Sequence, residues 1–516
     1  MKKCLYLFIS IFCMATAASA QGEISLGLCE DLPNTFYLHN YNSVYIENGQ
    51  GYCKSPVKIL DKRIANFKNL EQLTFVSRAT FDSDTIVTLP EEISQITSLR
   101  RIHTNIPNAA VFNLSHLTHL GLQLYDSTSL ALFTKYGCKE LKELTQLTLH
   151  FANFGSDYEI PGIAELAHLK TVYLANPNQK LVDAVLSNPN VENLHIDQTK
   201  GITFDFSRLK QLKSLTLYNN QLSSIPPSIY KCENLEELII TNNMVSEIGD
   251  EISQLKQLKL LNLANNHIYI ISDELSNCTT LTTLALGYNR SLSYLPTELG
   301  NLKLLNVLSF GKCKIEELPK SIEKCVLLKS LYANNNQLKQ IDLSFKNMQQ
   351  LESVSFQHNQ ITQIDSSLFK LPLITKLDVS QNQLTTLPYS IGSMKSLVHF
   401  DIFENKIKLL PYDIGELTQL EELTAYRNEI MFLPPSIVNL RQLIRLYLGD
   451  NNLTELPENF QKLNLQAFEI QKNPLKKFPI AIYELSRLDR IWISPEHCKL
   501  EGYKPSDKNP VIIITD

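Results

Sequence analysis

Residues 212–234 read Leu-Lys-Ser-Leu-Thr-Leu-Tyr-Asn-Asn-Gln-Leu-Ser-Ser-Ile-Pro-Pro-Ser-Ile-Tyr-Lys-Cys-Glu-Asn. Leu212, Leu215 and Leu217 are spaced as in a short strand with one buried face. Asn220 follows at the ninth position, where its side chain can bond backbone groups and turn the chain. Pro226 has no N–H to give to a strand ladder, so it marks a return path with about one helical or 3-10 turn behind it. The template reopens at Leu235, Leu258, Leu281, Leu305, Leu328, Leu351, Ile374, Leu397, Leu420, Leu443, Leu465 and Leu488. The spacings are 23 residues, with one of 24 and one of 22. Asn recurs at the ninth position at 220, 243, 266, 289, 336, 359, 382, 405, 428, 451 and 473, with Cys313 the single replacement. Each turn buries its leucines only against its neighbours, so the array is a one-dimensional solenoid.

Towards the N-terminus the template blurs, with openings at Leu70, Leu99, Leu117, Leu144, Leu169 and Val191. Insertions such as Arg78 to Thr85 and Tyr125 to Thr134 are expected to be surface loops. Residues 1–20 read as a signal peptide, 21–69 as an N-terminal cap, 70–211 as irregular repeats, 212–487 as regular repeats and 488–516 as a C-terminal cap and tail. The tail's Val511-Ile512-Ile513-Ile514 is suited to cover the open end of the core.

The pattern L-x-x-L-x-L-x-x-N-x-L-x-x-L-P-x-x-I-x-x-L resembles the 23-residue class of leucine-rich repeat proteins, and the chain is read as an exported, bacterial member. The resemblance implies an α/β solenoid: a leucine-rich repeat horseshoe with a parallel β-sheet on the concave face and short helical, 3-10 or extended turns on the convex face. It implies an asparagine ladder between turns, and binding of a protein or peptide on the concave face.

Lys2 and Lys3, the apolar run Leu5–Ala15 and the small residues Ala18-Ser19-Ala20 form a secretory signal pattern. The run is too short for a bilayer, which needs about 20 apolar residues, and no later segment is apolar enough to span one. A net charge of −5 argues against nucleic acid as the partner. The expectation is an exported monomer. Cys232, Cys278 and Cys325 share one core position and read as buried small hydrophobes, as does Cys313 in the ladder. Cys29 and Cys53 flank the N-terminal cap and are the pair placed like a staple, either bridged or as two free thiols.

No G-x-x-x-x-G-K-[ST], G-x-S-x-G, H-E-x-x-H or C-x-x-C motif occurs, so no catalytic residue, cofactor or metal site is assigned. Positions three, five and seven of each repeat face solvent and carry three constellations. His103, His119, His150 and His195 fall there, with His103 and His119 on adjacent strands, as solvated histidines or a metal set. Asp378 and Asp401 share position five of adjacent repeats, with Lys376 and His399 beside them: a charged stripe, or the acid pair of a hydrolase. Phe403, Tyr426 and Tyr447 are expected to form one exposed aromatic patch with Arg427, Arg445, Asp401, Glu404 and Asp450 around it, and Trp492 on the last strand. The leading expectation is a non-enzymatic scaffold that binds through this patch. A hydrolase, or an adhesive surface protein, is the alternative.

Overall fold

A computed structural model describes residues 22–27, 41–48, 69–77, 89–105, 107–125, 127–152, 157–505 and 510–515, with the backbone alone for 22–27, 41–48 and 75–77. The Met1–Ala20 pattern, Cys29, Cys53 and the Arg78–Thr85 insertion lie outside the described residues. The chain forms two compact units, Met1–Asn243 and Met244–Asp516.

The first unit is a parallel ladder. Its strands are β1 (Gly22–Gly27), β2 (Tyr41–Asn48), β3 (Gln72–Ser77), β4 (Arg101–Thr104), β5 (His119–Leu124), β6 (Gln146–Phe151), β7 (Thr171–Ala175), β8 (Asn193–Asp197), β9 (Ser214–Tyr218) and β10 (Glu237–Ile239). Each pairs in parallel with the next. β1 and β2 thus extend the sheet ahead of the first clear template.

The second unit repeats the arrangement with shorter strands, from Leu260–Asn262 and Thr283–Ala285 through Lys376–Asp378, His399–Asp401, Glu422–Thr424 and Arg445–Tyr447 to Ala467–Glu469 and Arg490–Ile493. Each of these strands covers positions three to five of its repeat, the last running on to six, and the residue between the two outward ones is core. Leu377, Phe400, Leu423 and Leu446 are at most 1% exposed. Parallel strands cannot be joined by tight turns, so every coil must travel around the core before pairing again. In many coils the travelling segment is a Pro-led 3-10 turn, for example Tyr389–Ser393 after Pro388, Tyr412–Glu416 after Pro411 and Pro435–Asn439 after Pro434. These turns stack closely. A Cβ on Gly415 would stand 2.3 Å from the Ser436 carbonyl oxygen, so that position has room only for hydrogen.

The asparagines act as the sequence pattern implied. Asn405 Oδ1 accepts from the Leu384 N–H at 2.9 Å, and its Nδ2 donates to the carbonyls of Val379 and Ile402 at 3.0 Å. One side chain therefore serves two coils, which satisfies buried backbone groups that regular sheet bonding does not reach. Where Cys313 interrupts the ladder, Leu292 N–H turns instead to the Asn289 carbonyl at 3.0 Å. The residue before each ladder asparagine sits in the left-handed region. Gln381, Glu404, Arg427 and Asp450 have φ of 53°, 51°, 52° and 53°. Cys232, Cys278, Cys313 and Cys325 are free and buried, and burial pushes each thiol up to about 11.

The Tyr125–Thr134 insertion departs from the loop expected of it. Residues Ser127–Tyr136 form an α-helix, α1, with Ser129 and Phe133 buried. Phe133 stacks on Phe112 at 5.5 Å and Tyr136 on the same ring at 6.0 Å. Ser129 and Phe133, four residues apart, share the buried face, and Phe112 from outside the insertion gives it something to pack on. At the other end Val511–Ile514 adds a parallel strand to Arg490–Ile493, with Ile513 in register with Trp492. Val511 and Ile514 stay more than half exposed, so this strand extends the sheet with only part of its own surface covered.

Candidate functional site

Strand register sorts the outward residues of the second unit into rows. One row runs Lys376, His399, Glu422, Arg445, Ala467, Arg490, and the next Asp378, Asp401, Thr424, Tyr447, Glu469, Trp492. Phe403 and Tyr426 follow two residues beyond their strands, and Glu404, Arg427 and Asp450 occupy the left-handed position next to them. The two rows run side by side across one sheet face.

The aromatic set divides into two pairs. Phe403 and Tyr426 stack at 4.6 Å with their planes 10° apart, while Tyr447 leans on Trp492 at 6.3 Å and 58°. The single exposed patch of three rings is corrected on both counts: Tyr447 belongs with Trp492, and all four rings are half-buried. Ring-on-ring packing covers one face of each and leaves an edge or face free. Trp492 itself lies in register with Ile513, so the tail meets it from the far side.

The charged residues are locked to one another. Arg427 Nη1 lies 2.5 Å from Glu404 Oε1, with its Nε 3.7 Å from Asp450, and its guanidinium sits 6.0 Å above the Tyr426 ring. Gln381 Nε2 donates to the second Glu404 oxygen at 2.9 Å. These two donors, Gln381 first, hold the Glu404 carboxyl below its ordinary range. Arg445 Nε meets Glu422 Oε2 at 2.8 Å, and His399 Nδ1 approaches the same oxygen at 3.7 Å. Exposed pairs of this kind contribute little to stability, about 0–1 kcal/mol, but they fix side-chain direction.

The acids of the central row behave differently. Burial pushes Asp378, Asp401 and Glu469 above the usual carboxylate range. Asp378 Oδ1 accepts from Ser380 N–H at 3.0 Å and from its hydroxyl at 2.6 Å, Asp401 bonds Thr424, and Glu469 takes Gln471 Nε2 at 2.6 Å. Asp378 and Asp401 are register partners, and the Asp401 charge adds to the upward shift of Asp378.

In the first unit His103 stands across from Gly121 and His119 across from Arg101. His150 and His195 occupy β6 and β8, and the charge of His150 bears on both His103 and His195. Among the described residues no group of three or more His, Cys, Asp or Glu is placed to hold a metal ion. No helix among them is long and apolar enough to cross a membrane.

Models of the leucine rich repeat match residues 210–268, 233–290 and 442–463, and a model of the BspA type leucine rich repeat region, in six copies, matches 316–429. No curated protein matches the chain. Among solved structures, a leucine-rich repeat protein of Leptospira interrogans is 26% identical with a TM-score of 0.57, covering 85% of this chain and 99% of its own. The plant peptide hormone receptor RGFR1, solved in complex with RGF2, has 22% identity and a TM-score of 0.63, covering 92% of this chain and 78% of its own. The Toll–Spätzle complex of Drosophila gives 19% identity and a TM-score of 0.65, over 89% and 65%. These last two show likeness of fold. With the 23-residue coil, the asparagine ladder and the matched repeat models together, the chain belongs to the leucine-rich repeat proteins.

Proposed function

We propose that the chain is an exported, non-enzymatic scaffold, a monomer that binds a protein or peptide partner on the sheet face between Lys376 and Trp492. The observation that carries this reading is the two half-buried ring pairs, Phe403 stacked on Tyr426 and Tyr447 tilted against Trp492, on a continuous parallel floor. Aromatic and arginine side chains anchor interfaces because they bury large area at small entropic cost. The floor holds them in place before any partner arrives, so little ordering remains to oppose binding. The Glu404–Arg427–Asp450 and Glu422–Arg445 pairs border the rings and set orientation and encounter rate. Solved relatives of the same fold carry peptide or protein partners, RGF2 on the plant receptor and Spätzle on Toll. Export rests on the Met1–Ala20 pattern, and an intact mass of the secreted protein beginning at Gln21 tests it.

The binding test is a Tyr426→Ala, Tyr447→Ala double variant, assayed against a partner isolated with the exported protein. The expected loss is about 2 kcal/mol or more per anchor, at an unchanged melting temperature. Equal binding by the variant removes these rings from the site. Unfolding of the variant shows that they belong to the core.

The raised acids Asp378 and Asp401 support a second reading, hydrolysis by an acid pair. Asp378 is already committed to Ser380, which favours the binding reading. A glycan or peptide hydrolysis that disappears in Asp378→Asn would reverse that order.

A further inference from the structure

The outward row on β3 to β6 runs Thr74, His103, Gly121, Thr148, and the parallel row runs Gln72, Arg101, His119, Gln146. Gly121 is the one position of the eight without a side chain, and the His103 ring folds over it. A recess of about 300 Å³ opens there, lined by Gln72, Thr74, Arg101, His103, His119, Gln146 and Thr148, with the backbone of Ile102, Leu120 and Gly121 as its floor. His103 leans over the glycine, its Nδ1 2.2 Å from where a Cβ would stand, so no larger residue is compatible with this arrangement.

The polar atoms around the recess are oriented. Gln123 Nε2 lies 3.0 Å from His103 Nε2, and an amide nitrogen can only donate. The neutral His103 ring therefore carries its proton on Nδ1, over the glycine. Thr118 gives its hydroxyl proton to the Arg100 carbonyl at 3.0 Å, so at the 2.8 Å contact His119 Nδ1 is the donor and its Nε2 is left free. Arg101 is exposed beside His119, and none of the lining residues is acidic. Two amides and two hydroxyls, each able to donate and accept, complete the wall.

We propose that this recess binds a small polyhydroxylated carboxylate, a sugar acid or a single acidic sugar residue. Arg101 supplies the charge and the planar donor fork that fits a carboxylate. The Nδ1–H of His103 supplies a second donor. Gln72, Gln146, Thr74 and Thr148 match hydroxyl groups, which also donate and accept. The volume lies at the small end of ligand pockets, about 300–1,000 Å³, and suits one ring rather than a chain. The recess is built by the first unit alone, so its test is independent of Tyr426 and Tyr447.

The experiment is calorimetric titration of the full chain with sodium glucuronate, glucose and sodium sulfate at matched ionic strength. Glucuronate should bind, glucose should give no heat, and sulfate should bind about tenfold more weakly or not at all. Arg101→Gln should weaken glucuronate by about tenfold or more with an unchanged melting temperature, since the side chain is exposed, and Gln146→Ala, which removes a partner for the ligand hydroxyls, should weaken it several-fold. No heat with glucuronate overturns the proposal, as does glucose binding equally well. Sulfate binding equally well marks the recess as a bare anion site and overturns it too. Unchanged affinity in both variants places any binding elsewhere on the chain and likewise overturns it.

Discussion

At the scale of a residue, Asn405 shows how much one side chain can carry. It bonds one N–H and three carbonyls at once, those of Val379, Ile402 and, more weakly, Phe403. Asn405→Ala should cost about 1–3 kcal/mol, the desolvation penalty of the groups it leaves unpaired. Asn405→Cys should cost less, because Cys313 occupies the same position with its thiol 3.5 Å from the Leu286 carbonyl. Urea unfolding of the two variants beside the parent measures both. Asp378 works in the opposite direction. Its carboxyl is raised in the folded chain by burial, so the folded state binds a proton that the unfolded state has already released. Its contribution to stability is therefore present below the unfolded value of about 3.8 and is lost as pH rises through the raised one. Asp378→Asn should be more stable than the parent at pH 7, and the difference should vanish near pH 3. A variant no more stable at neutral pH would show that the Ser380 bonds compensate fully for burial.

At the scale of an element, the coil was legible because each of its features has a local cause. The strand positions, the ladder and the proline-led return follow from Leu, Asn and Pro at fixed offsets, and Leu377 or Pro411 needs no distant partner to be read. The α1 insertion was not legible as helix, because its stability comes from Phe112, which lies outside it. The division of the aromatics was hidden for a related reason: Tyr426 lies 21 residues from Tyr447 on the neighbouring coil and Trp492 lies 45 residues away, two strands on, so spacing favours the wrong partner and side-chain lean decides. The recess needed four strands in register, and His103 laid over Gly121, before its lining came together. The 3-10 turns carry a further constraint that spacing alone does not announce. Gly415→Ala brings a methyl against the backbone of Ser436 and should destabilise by about 1–3 kcal/mol, as overpacking does. Chemical denaturation checks it, with Glu416→Ala on the same turn as an exposed control expected to change little.

At the scale of the whole molecule, stability is a sum over coils and the contacts between neighbours. The second unit repeats one geometry, whereas the first mixes helices and 3-10 turns between strands of differing length. Hydrogen exchange should be faster between Leu70 and Val191 than between Leu328 and Leu443. Equal protection would mean that regularity of the coil does not govern local opening here.

The ladder also gives the stack a direction. Each asparagine reaches back and never forward: Asn405 covers Leu384 and Val379, Asn428 covers Ile407 and Ile402, and Asn451 covers Ile430 and Ala425. The coils overlap like shingles, every one fastened by the one laid after it. Stripping coils from the trailing end uncovers backbone that the next coil had sheltered. Stripping them from the leading end breaks the sheet bonds, as at either end, but beyond those it frees asparagine amides, which water can solvate. The trailing end has its own fastening, since His497 Nε2 donates to the Asn473 carbonyl at 2.8 Å. Shortening the protein from its C-terminus should therefore cost more per coil than shortening it from the N-terminus, and the loss should begin with the piece that carries His497.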